Sequence, residues 1–138
     1  MAMINAISKV TLYVNNQEEA KTFWTRKVGF EVRSEEQMGP DMKWIEVGPA
    51  QGDTTVFVLY DKKMMESRNP KVNVGHPSVI MGTDNIEEAY KELFEKGVSV
   101  GEIKRMPHGN MFQFEDMDGN QFLLRDDTMS GWRVGKIS

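Results

Sequence analysis

The stretch Val10–Trp24, "VTLYVNNQEEAKTFW", runs from an alternating strand through an Asn-bearing turn into a helix that opens on Glu-Glu-Ala, and Val79–Leu93, "VIMGTDNIEEAYKEL", does the same. Val10 matches Val79, Leu12 matches Met81, Asn16 matches Asn85, and Glu18, Glu19 and Ala20 match Glu87, Glu88 and Ala89. A pattern that occurs only twice, at a spacing too long for a solenoid, implies two similar half-domains packed face to face. In the first copy Val10, Leu12 and Val14 fall on one strand face and Lys9, Thr11 and Tyr13 on the other, the period of two of a half-buried strand.

Working outward, Ala20, Phe23, Trp24 and Val28 recur at helical spacing, with Asn15 or Asn16 as N-cap and Gly29 as a left-handed stop. That helix should cover the Val10, Leu12, Val14 face. "FEVRSEEQ", "MKWIEVG" and "TTVFVLYD" then read as three antiparallel strands separated by turn-forming segments at Met38–Asp41 and Gly48–Asp53. In the second half "SVIMGTD" is a strand and Ile86–Lys96 a helix with Ile86, Ala89, Tyr90, Leu93 and Phe94 inward. Gly97 is its stop, and "VSVGEIK", "MFQFED" and "QFLLRD" complete the set. "DMDGN", Asp116–Asn120, is a hairpin turn, since Gly and Asn accept positive φ at little cost. The chain therefore reads as one domain over 1–138, α+β in class. Module 1 covers about 4–61, a polar linker containing Pro70 about 62–73, module 2 about 74–126, and a tail without periodicity 127–138, in which Trp132 is expected to dock on the body or on a partner subunit.

A chain of 138 residues buries a core without disulfides or structural metal, and it has none of the former, since cysteine is absent. That absence excludes thiolate nucleophiles and Cys-type zinc or iron-sulfur sites. The net charge of -4 comes from interspersed acids and bases and gives no nucleic-acid footprint. The opening "MAMINAISKV" has no charged segment followed by an apolar core, and no stretch approaches the roughly 20 apolar residues of a membrane span. A cytoplasmic protein, bound neither to nucleic acid nor to membrane, is the expectation. Eleven methionines suit an adaptable pocket, although core filling accounts for them more simply.

A βαβββ unit occurring twice, with "AKTFWTRKVGFEV" at the helix exit and "FEDMDGNQFLL" at the end, resembles the vicinal oxygen chelate superfamily, that of glyoxalase, bleomycin resistance proteins and extradiol dioxygenases. The resemblance covers about Ile4 to Asp126. It implies two tandem modules whose curved mixed sheets form a ligand-holding cup, and a homodimer. In metal-using members of that family a divalent ion polarises two adjacent substrate oxygens and is held from four points. The resemblance puts these points at Lys9, Val58, Ser78 and Leu123, none of them a usual ligand. A metal-free cup is therefore the expectation, with no cofactor and no assigned catalytic residue.

On this reading the ligand-binding residues are Lys9, Tyr13, Trp44, Glu46, Val58, Tyr60, Ser78 and Leu123, and the ligand is a small apolar or aromatic molecule. Lys9 can hold an anionic or carbonyl-bearing group, or instead pair with an acid such as Glu46. A Schiff base at Lys9 has no supporting neighbour in the sequence. Two alternatives stay open. One is a metal-dependent glyoxalase-like lyase or dioxygenase with shifted ligands, recruiting His76 or His108 with Glu46 or Glu115. The other is a non-catalytic regulatory or assembly module. The Glu-Glu-Ala turns are helix starts, where carboxylates meet the positive end of the dipole. "GPAQGD" is no phosphate loop, because a strand follows it.

Overall fold

The structure, a computed structural model, describes residues 3, 4, 6–50, 55–107 and 109–126. The chain divides into two compact units at Pro77/Ser78. Each carries a four-stranded mixed sheet with the same internal order, as the repeat requires.

In the first unit β1 (Lys9–Val14) leads into α1 (Gln17–Thr22), which continues as a π-helical turn over Phe23–Lys27. β2 (Glu31–Gln37), β3 (Lys43–Gly48) and β4 (Val56–Asp61) follow, and the sheet order is β1-β4-β3-β2 with β1 parallel to β4. Asn16 is the cap: its side chain accepts from Glu19 N at 2.9 Å, satisfying a donor the helix leaves unpaired. Gly29, at φ 91°, ends the helix. Packing follows the strand parity. Leu12, Val14, Ile45, Val47, Phe57 and Leu59 are buried on the face under α1, where Ala20 and Trp24 are fully buried. Trp24 lies 5.2, 5.3 and 5.1 Å, ring centre to ring centre, from Phe23, Phe30 and Phe57. Each such side chain contributes about 1.5–3 kcal/mol by leaving water.

The segment read from sequence as linker carries a helix, α2 (Lys62–Arg68). Asp61 caps it, accepting from Met64 N at 2.9 Å, and it packs on β4.

The second unit repeats the plan with β5 (Ile80–Gly82), α3 (Ile86–Glu95), β6 (Lys104–Met106), β7 (Gly109–Glu115) and β8 (Gln121–Asp126), in the order β5-β8-β7-β6. Asn85 caps α3 through Glu88 N at 3.0 Å, and Gly97 stops it at φ 82°. Phe112, Phe114, Phe122 and Leu124 are buried with Ile86, Leu93 and Val98. Asp116 builds the hairpin turn: its Oδ1 accepts from the amides of Asp118 and Asn120, both at 2.9 Å, with Gly119 at φ 80°.

Two further details depart from the sequence reading. "VSVGEIK" is not a continuous strand; it makes a single bridge, Val100 to Phe114, before the short β6. Phe94 is 63% exposed and stacks on Tyr90 at 6.2 Å, because α3 turns its inward stripe through Ile86 and Leu93. His108 and the tail with Trp132 lie outside the described residues.

Candidate functional site

The sheet of the first unit has a second face, away from α1. Strand alternation sends Lys9, Thr11 and Tyr13 of β1 to it. The registers Thr11↔Val58, Tyr13↔Tyr60 and Glu46↔Val58 add Val58 and Tyr60 of β4 and Glu46 of β3, and the same parity adds Trp44. Six of the residues singled out from sequence, Lys9, Tyr13, Trp44, Glu46, Val58 and Tyr60, thus share one surface.

Its centre is apolar. Met42, Val58 and Tyr60 are buried together, and Tyr13, Trp44, Met64 and Met65 pack against them. Tyr60 sits between two rings met edge-on, Tyr13 at 6.0 Å and Trp44 at 6.4 Å. Met64 and Met65 come from α2 and were missed in the sequence reading. The available signal was an Asp cap, Asp61, directly ahead of "KKMMESR".

Its rim is polar and self-compensated. Glu46 Oε2 lies 2.8 Å from Lys9 Nζ and accepts from Trp44 Nε1, also at 2.8 Å. The Lys9 ammonium and the Trp44 indole N–H together hold the Glu46 carboxyl below the usual carboxylate range, against the opposing effect of burial. The carboxylate is therefore charged at neutral pH, fixes the Trp44 ring and cancels the Lys9 charge. Of the two fates open to Lys9, pairing with Glu46 is the one observed.

Ser78 and Leu123 belong to the second unit. Ser78 is exposed just ahead of β5, and Leu123 is half-buried opposite Ile80.

The family model for the Glyoxalase/Bleomycin resistance protein/Dioxygenase superfamily matches residues 6–124. The chain belongs to this superfamily. The Bacillus subtilis (strain 168) protein YetH is 38% identical over 90% of this chain and 100% of its own. TnmS3, an antibiotic-binding protein from Streptomyces sp. CB03234, is 29% identical with TM-score 0.74, covering 91% of this chain and 98% of its own. A superfamily member from Sphaerobacter thermophilus DSM 20745 is 32% identical with TM-score 0.75, covering 90% and 98%.

Some glyoxalase-superfamily members use a metal, so donor chemistry matters here. Lys9 offers an ammonium already paired with Glu46, Val58 and Leu123 offer no donor atom, and Ser78 offers a lone hydroxyl. Taken one by one, none of these four side chains is the imidazole, carboxylate or amide oxygen that a divalent metal usually takes. Among the described residues no three His, Cys, Asp or Glu side chains come together as a metal group. His76 is exposed in the first unit.

Proposed function

We propose that this glyoxalase-superfamily protein is a binding protein for an uncharged, flat aromatic molecule, received on the Tyr13–Trp44–Tyr60 face of the first unit. The observation that carries this reading is the pairing of an aromatic and thioether surface with a rim whose charges cancel. Aromatic walls take planar ligands, and methionine side chains adapt to their outline. Because Glu46 neutralises Lys9, a carboxylate ligand would have to break that pair to gain a cation. A neutral ligand need not, and a hydroxyl or amine on it finds the charged Glu46 carboxylate at the rim. The likeness to an antibiotic-binding protein of 29% identity supports a sequestering role in place of turnover. In this reading Lys9, Val58, Ser78 and Leu123 replace the family's metal ligands, and the protein acts in the cytoplasm as a homodimer.

The test is calorimetric titration with naphthol and with naphthoate, alongside metal analysis of untagged protein. Naphthol binding that exceeds naphthoate binding, and is lost in Trp44→Ala, is the expected result. Preference for naphthoate, binding indifferent to Trp44, or close to one mole of metal per chain would each overturn the reading.

A further inference from the structure

The two halves of the chain differ in one internal detail. In the second unit the central antiparallel pair is fully registered, from Asn110↔Asp126 to Glu115↔Gln121. In the first unit the corresponding pair, β3 and β4, is registered only at Glu46↔Val58 and Val47↔Phe57. Continued in the same register, that ladder would set Ile45 against Leu59, Trp44 against Tyr60 and Lys43 against Asp61.

What occupies the place of those rungs is a side chain. Gln17, the first residue of α1, donates through Nε2 to Lys43 O at 2.7 Å and to Leu59 O at 2.8 Å, and its Oε1 accepts from Lys43 N at 3.3 Å. Both amide hydrogens and the carbonyl are thus spent on two neighbouring strands, the work a peptide group performs in a ladder. The repeat supplies an internal control. The position matching Gln17 is Ile86, a fully buried apolar residue that cannot bridge backbones, and in its unit the ladder is complete.

We propose that Gln17 is a positioning residue that holds β3 and β4 apart beneath Trp44 and Tyr60 and so sets the width of ligand the aromatic face admits. The width role rests on the binding reading above; the strand spreading does not. Trp44 and Tyr60 stand on the two strands that Gln17 separates, and their rings already meet edge-on at 6.4 Å, so closing the ladder draws their backbones together and narrows the aromatic surface the two rings jointly present. Gln17 itself approaches the backbone through Lys43 and Leu59, whose side chains alternate to the α1 face, and it need not touch the ligand.

The experiment compares wild type with Gln17→Ile, which copies the second unit, and with Gln17→Ala. Cross-strand NOEs between the Trp44 and Tyr60 backbones should be weak in wild type and strong in Gln17→Ile; equal intensities would overturn the spreading. Affinities for naphthol and for the broader hydroxypyrene should shift in ratio by about tenfold toward naphthol in Gln17→Ile, the scale on which a fitted pocket discriminates. A lower melting temperature with an unchanged ratio would reduce Gln17 to a structural role and overturn the proposal. If wild type bound neither probe, the binding reading and the width role would fall together, while the NOE comparison would still decide whether Gln17 parts the strands.

Discussion

The Lys9 ammonium lies 2.8 Å from Glu46 Oε2 although the two residues stand on strands that are not neighbours: β4 runs between them. The pair therefore spans two strand spacings, about 9–10 Å, over Val56 and Val58. Only a long, flexible side chain reaches that far. The same oxygen takes the Trp44 indole N–H, so one carboxylate ties β1 to β3 and sets an aromatic ring.

Removing the two partners should therefore have unequal effects. Lys9 is 47% exposed, and its contribution as a surface ion pair is about 0.5 kcal/mol. Glu46→Ala also strips Trp44 Nε1 of its acceptor and should cost about 1–2 kcal/mol. Urea denaturation of Lys9→Met and Glu46→Ala checks this; equal losses would show that the indole bond contributes nothing.

The acid limb of stability follows from Glu46 and Glu35. Lys9 and Trp44 lower the pKa of the first, and Lys21 and Lys43, at 2.7 and 3.1 Å, lower that of the second. An acid depressed on folding contributes stability above its unfolded pKa of about 4.3 and loses it as pH falls from there through the folded value. Urea midpoints should thus drop on acidification below about pH 5, and less steeply in Glu46→Gln. Parallel curves for the two proteins would contradict the assignment.

The repeat makes a prediction about its caps. Asn16 and Asn85 accept from the amide three residues on at 2.9 and 3.0 Å, so each to Ala should cost about 1 kcal/mol, and each to Asp close to nothing. Thermal denaturation of the four variants tests it, and a neutral Asn85→Ala would remove the equivalence.

What was legible in the sequence was what short-range chemistry dictates. An Asn ahead of Glu-Glu-Ala, a Gly at the exits of α1 and α3 and Asp116 to Asn120 specify their own local geometry, and strand parity puts six of the candidate residues on one face. The unread features depend on tertiary arrangement. Gln17 looks like an ordinary first-turn residue until its amide is seen bonded to Lys43 and Leu59 where the β3–β4 rungs stop. Phe94 falls next to the inward stripe of α3 by spacing, yet the face the helix buries runs through Ile86 and Leu93 and leaves Phe94 outside it. Helix α2 was hidden because "KKMMESR" is polar and Pro70 follows, so the segment read as a connection. Its apolar burial comes from Met64 and Met65.

Helix α2 offers the last test, because little holds it. None of its residues is fully buried, seven residues are too few for a stable isolated helix, and its order rests on the Asp61 cap and the two methionines against the Met42, Val58 and Tyr60 cluster. Elements with so few buried contacts open locally at a free energy below that of global unfolding. Asp61→Ala should therefore accelerate amide exchange across Met64–Arg68 by about fivefold, matching a lost cap of about 1 kcal/mol, while the amides of β4 exchange as before. Because opening α2 uncovers the aromatic face, the same variant should bind naphthol faster without tighter equilibrium affinity. Exchange that rises equally in α2 and β4 would mean that the helix unfolds only with the whole unit, and would leave the face no separate cover.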